Sequence, residues 1–262
     1  MNTSNSAESG HPGGNVSFWR DEIVERYDIQ RSLISEKNDE LLSNIARVLN
    51  YFCKVRSIEG PRILDIGCGP GSKMTLSRQV LSLVPGSIVV GVDVSPEMVR
   101  AANTHLGQEF GLRFSGFVGD FNSDDFWSPE IDEEYNFIVS NSALHYLSDR
   151  RRIPFLEECL YHLVENGVMV ACVGNLSDIT EIADMEHLFR VEYTYNRLDA
   201  TNRPDDFEEF KRRFEETDAR ANINWSSSST WLKEMRDAGF KGADIIGHMW
   251  MKSIFVAVKE KV

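Results

Sequence analysis

The fold is decided by residues 63–71, which read Ile63-Leu64-Asp65-Ile66-Gly67-Cys68-Gly69-Pro70-Gly71. The apolar run Arg62–Ile66 predicts a short buried strand, and the glycines that follow at alternate positions predict a tight turn. Gly67 and Gly69 let the backbone approach a ligand because no Cβ stands in the way. A helix is predicted over 72–84, and its N-terminus would present free N–H groups. The stretch therefore predicts a strand–turn–helix unit with a ligand-binding turn.

A second unit of the same kind follows directly. The β-branched run Ser87–Val92 predicts a strand, and Pro96–Glu109 predicts a helix with proline near its first turn. Asp93 ends this strand, 22 positions after Gly71 (93 − 71). A carboxylate at this place is suited to accept both hydroxyls of a ribose. The two units together predict a nucleoside site.

The glycine pattern departs from the G-x-G-x-x-G fingerprint of dinucleotide-binding proteins. The third glycine of that fingerprint would stand at position 72, which is Ser72, whereas Gly71 comes one place early. Asp65 is also aimed at the place where a pyrophosphate would lie, which would be repulsive. The pattern disfavours NAD and favours a ligand that carries an amino group or a sulfonium without phosphate.

The rest of the chain continues the alternation of strands and helices. Strands are predicted at 113–118, 136–140 and 168–173, with a helix at 154–164, and this rhythm implies a mainly parallel, doubly wound α/β sheet. After a helix at 230–238, strands are predicted at 240–246 and 249–258, with Gly247-His248 as the turn between them. Two strands so close in sequence form an antiparallel hairpin. The predicted sheet thus has seven strands and closes with this hairpin.

Segments outside this rhythm set the domain division. Residues 1–16 are polar and are predicted to be disordered, and residues 17–58 show helical periodicity and are predicted to form a helical cap. The α/β core, which carries the predicted ligand site, is assigned to residues 59–174 and 230–262. Residues 175–229 are charged and aromatic and form an insertion after a late strand. Such an insertion lies over the carboxyl ends of the strands, so a lid and an ordinary peripheral helical pair both stay open.

The composition excludes several classes of function. The 262-residue chain is 42% hydrophobic and 26% charged, which is typical of a soluble globular protein. Its net charge of −13 disfavours nucleic acid as the main partner, because phosphate binding needs basic surface. Four scattered cysteines without C-x-x-C pairing predict reduced thiols in a cytoplasmic protein. No apolar stretch or signal-peptide pattern predicts a membrane partner, and we expect a monomer or a homodimer.

Several motifs together resemble the small-molecule branch of the class I S-adenosylmethionine-dependent methyltransferases. The resemblance rests first on residues 65–71 (DIGCGPG) and residues 93–98 (DVSPEM). Residues 119–121 (GDF), 136–141 (NFIVSN) and 163–167 (LVENG) match later motifs of that family in order. The resemblance implies a Rossmann-like fold, S-adenosyl-L-methionine as cofactor and methyltransferase activity. The chain lacks the paired carboxylate and asparagine set of the magnesium-dependent members, so no metal is expected.

The resemblance also implies roles for the matched positions. The implied cofactor-binding residues are Asp65, Gly67, Cys68, Gly69, Gly71, Asp93, Val94, Met98, Asp120, Phe121, Ser140 and Asn141. By this resemblance Asp65 lies near the amino group of the cofactor, and Asp93 binds its ribose. Asp120 accepts from the adenine amino group, although a carboxylate that only caps its own loop is the alternative.

The candidates for catalysis and acceptor binding are aromatic. His145 follows the fourth predicted parallel strand and is expected to act as general base or to orient the acceptor, with a structural loop histidine as the alternative. Tyr27 lies in the predicted cap and resembles a tyrosine that closes over the cofactor in related enzymes, with simple packing as the alternative. Trp19, Tyr146 and Tyr193 are weaker candidates for the acceptor pocket.

The expected function is methyl transfer by in-line displacement to an oxygen (carboxylate or hydroxyl) or a nitrogen of a small organic metabolite. Within the family, the stretch Ser140–Tyr146 and the chain length are similar to carboxyl methyltransferases of the trans-aconitate and juvenile-hormone-acid kind. Two alternatives stay open. One is a methyltransferase of protein or tRNA, and the other is a protein that binds S-adenosylmethionine without transferring its methyl group.

Overall fold

A single sheet forms the centre of the computed structural model, which describes residues 21–35, 37–198, 206–221, 223–249 and 251–260. Its strands are β1 (Arg62–Ile66), β2 (Ile88–Asp93), β3 (Phe114–Val118), β4 (Tyr135–Asn141), β5 (Leu163–Gly174), β6 (Gly242–Met249) and β7 (Lys252–Val258). The strand order is β3-β2-β1-β4-β5-β7-β6. The first five strands are parallel, and β7 runs antiparallel to both β5 and β6. The predicted Rossmann-like, seven-stranded sheet with its terminal antiparallel hairpin is confirmed.

Helices surround this sheet. In the described ranges they are α1 (Asp21–Ile34), α2 (Asn38–Arg56), α3 (Leu76–Leu83), α4 (Pro96–Phe110), α5 (Asp149–His162), α6 (Thr180–Arg197), α7 (Phe207–Ala221) and α8 (Ser228–Asp237). Two predicted starts were wrong. Helix α3 begins at Leu76 instead of position 72, because residues 72–75 form a loop in which Thr75 bonds back to the Ser72 carbonyl. Helix α5 begins at Asp149, so Pro154 lies inside it rather than at its start.

The predicted hairpin turn was also wrong. Gly247 and His248 belong to β6 and pair with Ile254 and Ser253 of β7. A register shift between Ile245 and Gly247 accommodates the glycine within the strand. A bulge is a common reason for glycine inside a strand, and the residue types alone do not distinguish it from a turn.

Alternate residues of each strand feed two separate core clusters. On one face, side chains such as Ile63, Val89 and Val139 pack with α2, α3 and α4. On the other face, Leu64 and Ile138 and their neighbours pack with α5 and α8. This alternation follows from the two-residue period of a strand that is covered on both faces.

The segment proposed as a cap divides into two parts. Leu42, Ile45 and Leu49 of α2 are fully buried in the core beneath the sheet. Helix α2 therefore packs on one face of the sheet as part of the core. We restrict the proposed cap to α1. None of the helices in the described ranges is long and apolar enough to cross a bilayer.

Helix α1 is held over the loops that follow the parallel strands. Asp28 accepts hydrogen bonds from the Ser72 hydroxyl and from the Met74 N–H, 3.3 Å away. From the insertion, Arg197 Nε donates to the Ser32 carbonyl over 3.0 Å. These bonds place α1 and α6 together above the carboxyl ends of the strands, which is where ligands bind in sheets of this kind.

Candidate functional site

The turn after β1 is bonded to the end of β2. Gly67, Gly69 and Gly71 all adopt positive φ, at 74°, 63° and 66°. The N–H groups of Gly67 and Cys68 both donate to the Val92 carbonyl, over 2.8 Å and 3.1 Å. This pairing continues the β1–β2 register into the turn and fixes the position of the glycines.

Asp93 has the geometry of an acceptor for two further donors. One carboxylate oxygen accepts the N–H of Gly69 and the other accepts the N–H of Ser95, each over 3.0 Å. A carboxylate offers about four lone-pair positions, so each oxygen can accept another hydrogen bond. Burial raises the pKa of Asp93, and the backbone hydrogen bonds oppose this rise.

Asp65 is buried beside Asp93 with one oxygen unpaired. Its Oδ2 accepts the Ser77 hydroxyl over 2.5 Å, whereas its buried Oδ1 has no hydrogen-bond partner. Burial, together with the negative charge of Asp93, raises the pKa of Asp65 to about 7. A cationic donor supplied by a ligand would satisfy this oxygen and stabilise the ionised carboxylate.

The glycines of the turn face different neighbours. A Cβ on Gly67 would lie 2.2 Å from the Cβ of Ala143 in the loop after β4. A Cβ on Gly71 would lie 2.8 Å from Leu106 Cγ of α4. Only Gly69 faces the proposed cap, because a Cβ there would lie 3.3 Å from the Tyr27 hydroxyl. The backbone of Gly67 therefore packs against the loop after β4, and the backbone of Gly71 packs against α4.

Cys68 and Ser140 are also occupied by the fold. The Cys68 side chain is 2% exposed and lies in the core against Gly91, so its expected cofactor contact is limited to the backbone. The buried Ser140 hydroxyl donates to the Ile66 carbonyl over 2.9 Å and joins β4 to β1. Asn141 is half-buried at the end of β4.

The residues expected to contact the adenine lie after β2 and β3. Met98 is buried at 2% exposed, and Val94 is half-buried. Asp120 caps its own loop, because its Oδ1 accepts the Asn122 N–H over 2.9 Å, and its second oxygen is left for another donor. Phe121 packs on Phe155 with a centroid distance of 6.0 Å.

His145 lies on a short 3₁₀ turn, Leu144–Tyr146, after β4. Its Nδ1 accepts the N–H of Gly174 over 3.3 Å, and its ring is parallel to Trp225 within 10° at 6.1 Å. Burial, together with the charges of nearby basic side chains, lowers the pKa of His145 to about 3. The imidazole is therefore neutral with its proton on Nε2, which favours a donor that orients a ligand over a general base.

Two of the three candidate tyrosines, Tyr27 and Tyr146, lie near each other. The half-buried Tyr27 approaches Gly69, and burial raises the pKa of its phenol, with Asp93 and Asp65 adding to the rise. Burial also raises the pKa of Tyr146, and the charge of Tyr27 raises it further. Tyr27 from α1 and Tyr146 after β4 therefore lie within electrostatic reach of each other.

The other two acceptor-pocket candidates differ in position. Tyr193 lies on α6 with Arg197 over its ring at 5.3 Å, one helical turn from Arg190. Trp19 lies outside the described residues.

Three basic residues near His145 were missed by the sequence analysis. Arg31, Arg190 and Lys252 come from α1, α6 and the start of β7, and the charges of all three lower the pKa of His145. Nothing in the sequence around Lys252 distinguishes it from a surface lysine, whereas Arg190, Tyr193 and Arg197 do share a helical face. No group of three or more His, Cys, Asp or Glu side chains suited to a metal occurs in the described part of the chain.

The part of the chain that carries this geometry matches a known protein family. Residues 63–167 match a family model described as a methyltransferase domain. This segment contains β1 to β4, the glycine turn and both carboxylates. By this match, residues 63–167 are those of a methyltransferase domain.

Curated relatives of this methyltransferase domain share its central part. One is trans-aconitate 2-methyltransferase of Mycobacterium tuberculosis, 36% identical over 88 residues, which are 34% of this chain and 28% of the relative. Another is malonyl-[acyl-carrier protein] O-methyltransferase 1 of Ilyobacter polytropus, 33% identical over 109 residues, which are 42% of this chain and 36% of the relative. The match spans about a third of the length of these relatives.

Solved structures share the fold of this methyltransferase domain and its surroundings. The CurJ carbon methyltransferase has a TM-score of 0.60 at 13% identity, covering 88% of this chain and 57% of that one. Phosphoethanolamine N-methyltransferase 2 of Haemonchus contortus, solved with S-adenosyl-L-methionine, has a TM-score of 0.53 at 15% identity, covering 81% and 52%. The named activities concern carbon and nitrogen, so the shared fold does not specify an acceptor.

Proposed function

We propose that this protein binds S-adenosyl-L-methionine and transfers its methyl group to a small organic acceptor. The main support for this proposal is the pair of carboxylates at the ends of β1 and β2. Asp93 keeps free acceptor positions on both oxygens, and Asp65 keeps a buried unpaired Oδ1 beside it. Such a pair suits a ligand with two neighbouring hydroxyls and a cationic amino group, and it disfavours a pyrophosphate.

The residues present fit this cofactor. Asp93 would accept the ribose hydroxyls, and Asp65 would pair with the amino group of the methionine moiety. Met98 and Val94 would contact the adenine, and the second oxygen of Asp120 would accept from its amino group. When bound, S-adenosylmethionine supplies an electrophilic methyl group on a sulfonium, whose carbon–sulfur bond breaks with the electron pair retained by sulfur as the acceptor bonds to carbon.

The protein's contribution to such a reaction is to position the acceptor and to exclude water. Helix α1, fixed through Asp28 to the loop after the glycine turn, places Tyr27 over Gly69. The Nε2–H of His145 would donate a hydrogen bond that orients the acceptor. Because its Nδ1 already accepts the N–H of Gly174, that nitrogen is not available to take a proton from the acceptor.

A small acceptor is also favoured over a macromolecule. The trans-aconitate and malonyl-acyl-carrier-protein relatives act, by name, on small acids, the second one while it is attached to a carrier. The net charge of −13 opposes binding of tRNA. The acceptor is therefore proposed to be a metabolite, free or carried.

Calorimetric titration with S-adenosylmethionine, S-adenosylhomocysteine and NAD tests the proposal. We expect the first two ligands to bind and NAD not to bind. Asp93→Ala would weaken binding about 100-fold, because two hydrogen bonds to a charged acceptor are lost. Asp39→Ala, which removes an exposed carboxylate of α2, is the control and should bind normally. Preferred binding of NAD, or unchanged affinity in folded Asp93→Ala, would contradict the proposal.

A further inference from the structure

Basic side chains converge on the space between α1, α6 and the sheet. Arg31, Arg190 and Lys252 all lower the pKa of His145, and Arg31 and Arg190 both lower the pKa of Tyr146. The three residues lie on three different elements of a chain with net charge −13. A positive field at the candidate acceptor site of an acidic protein favours a negatively charged ligand.

Arg31 has an unpaired edge within this cluster. Its Nε and Nη2 are buried and have no hydrogen-bond partner, and its guanidinium lies 5.9 Å from the centroid of the Tyr27 ring. Nε and Nη2 are the two donors of one edge of the guanidinium, and this edge matches the two oxygens of a carboxylate. Buried charged donors without partners cost stability, so a ligand that pairs with them is favoured.

The other two cations are held in place by the protein. The Arg190 side chain is 19% exposed, forms an ion pair with Asp218 and lies 5.2 Å from the centroid of Trp225. Lys252 Nζ donates to the Ser35 hydroxyl over 2.6 Å, and burial with the charge of Arg31 lowers its pKa to about 7. These contacts fix Arg190 and Lys252 near Arg31, whose edge stays unpaired, and a bound anion would favour the charged form of Lys252.

The acidic residues whose charges reach Tyr27 each have a hydrogen-bond partner, and the one open oxygen of Asp65 is assigned to the proposed cofactor. Asp28 on the same helix accepts from Ser72 and Met74. Asp65 and Asp93 face the turn after β1, where Ser77 and Gly69 donate to them. The carboxylate that would neutralise Arg31 is therefore expected to come from the ligand.

His145 and the tyrosines Tyr27 and Tyr146 are poorly suited to act as general bases. The Nδ1 of His145 is bonded to Gly174, and burial makes the phenols of Tyr27 and Tyr146 weaker acids. A hydroxyl or ammonium acceptor would need a proton removed before or during attack, whereas a carboxylate is already ionised at neutral pH. A carboxylate acceptor therefore needs no general base, which agrees with the ligand class that the positive charge favours.

We propose that the methyl acceptor is a small carboxylic acid, bound as its carboxylate by the Nε–Nη2 edge of Arg31, with Arg190 and Lys252 adding positive charge. The proposal rests on the proposed methyltransferase function and names its substrate class. A carboxylate oxygen bonds to the methyl carbon as the carbon–sulfur bond breaks onto sulfur, giving a methyl ester and S-adenosylhomocysteine with no proton transferred. The ester is uncharged at this group, so its attraction to Arg31 falls and product release is favoured.

Binding to the protein saturated with S-adenosylhomocysteine tests the proposal. The probes are trans-aconitate, benzoate and octanoate, each compared with its uncharged amide, together with phenyl phosphate. We expect at least one carboxylate to bind and its amide to bind at least about tenfold more weakly. Raising NaCl from about 50 mM to about 500 mM should weaken that binding because salt screens the charges.

Variants separate the role of Arg31 from general effects. Arg31→Gln should weaken carboxylate binding at least about tenfold and leave the affinity for S-adenosylhomocysteine within about twofold. Arg47→Gln, which changes an exposed arginine of α2, is the matched control and should bind the carboxylate normally. Equal binding of carboxylate and amide, preference for the phosphate, unchanged binding in Arg31→Gln, or failure of every carboxylate on a protein that binds S-adenosylhomocysteine would overturn the proposal.

A melting experiment without ligand gives a second readout. Arg31→Met should raise Tm by about 2 °C, because it removes unpaired buried donors. A fall in Tm would show that the guanidinium is paired within the protein, which would overturn the proposal. Failure of the wild-type protein to bind S-adenosylhomocysteine would instead contradict the proposed function, so the two failures are distinguishable.

Discussion

Asp65 shows how one buried atom links the fold to the proposed cofactor. Its Oδ2 is bonded to Ser77, its Oδ1 is unpaired, and its pKa is raised to about 7. Because this folded pKa lies above the ordinary value of 3.8, the native state binds more protons than the unfolded state between these values. The contribution of Asp65 to stability therefore decreases as pH rises from about 4 to about 7.

Affinity for the cofactor should change in the opposite direction. If the ionised Asp65 pairs with the cationic amino group, affinity for S-adenosylhomocysteine should rise about fivefold between about pH 6 and pH 7 and level off above about pH 8. Calorimetric titration across this range measures the change. Asp65→Asn should bind more weakly and lose the rise. A flat profile in the wild-type protein, or the same rise in Asp65→Asn, would refute the assignment.

The positions of the candidate site residues in the fold followed from the sequence more directly than their protonation states did. Asp65 and Asp93 could be placed because each ends a strand whose apolar pattern is local. His145 was likewise expected near the strand ends, but its protonation depends on the Gly174 N–H and on cations from remote elements. These partners are set by tertiary packing, so the sequence could not distinguish a general base from a residue that orients the acceptor.

At the scale of elements, the turn after β1 is held by packing as well as by its own backbone. Gly67 at φ 74° lies against Ala143, which precedes the 3₁₀ turn that carries His145. The turn and the loop after β4 are therefore in direct contact. A side chain at Gly67 would separate the proposed cofactor turn from the loop that carries the acceptor-side residues.

Gly67→Ala is predicted to destabilise the protein by about 2–4 kcal/mol, from the unfavourable φ and the overlap with Ala143. Urea unfolding measures this change, and binding of S-adenosylhomocysteine should be weakened as well. Gly107→Ala is the matched control, because Gly107 lies in α4 at negative φ with nothing within 4 Å of a Cβ. That variant should be more stable by about 0.5–1 kcal/mol. Equal stability of Gly67→Ala and wild type would contradict this account of the turn.

Elements with a simple period were predicted correctly, and those with local irregularities were not. The parallel strands are buried on both faces, so they appear in the sequence as apolar runs between glycine and polar turns. The β6–β7 turn was misplaced because the irregularity at Ile245 and Gly247 keeps a glycine inside the strand. The start of α3 was misplaced because Ser72 bonds to Asp28 of α1 instead of starting the helix.

At the scale of the whole molecule, the site combines a sheet that is typical of its family with a specific cover. Arg31 and Arg190 are 159 positions apart (190 − 31), and Lys252 follows 62 positions later (252 − 190). Each of them alone is consistent with a solvated charge. Only the packing of α1 and α6 above the strand ends brings the three charges to His145, so the sequence could not reveal the cluster.

In this arrangement, different parts of the molecule would bind the cofactor and the acceptor. The ends of β1 and β2 supply carboxylates to a ligand with a cationic group, and α1, α6 and β7 supply cations to an anionic one. The opposite charges would direct the two proposed ligands to separate subsites. Tyr27, with its hydroxyl close to Gly69 and its ring below Arg31, lies between these subsites.

A crystal structure of the protein grown with S-adenosylhomocysteine tests the central claim most directly. We predict that the ligand lies across the ends of β1 and β2, with its ribose hydroxyls on Asp93 and its amino group on Asp65 Oδ1, beneath Tyr27. A ligand bound elsewhere, or bound here with its ribose away from Asp93, would contradict the account.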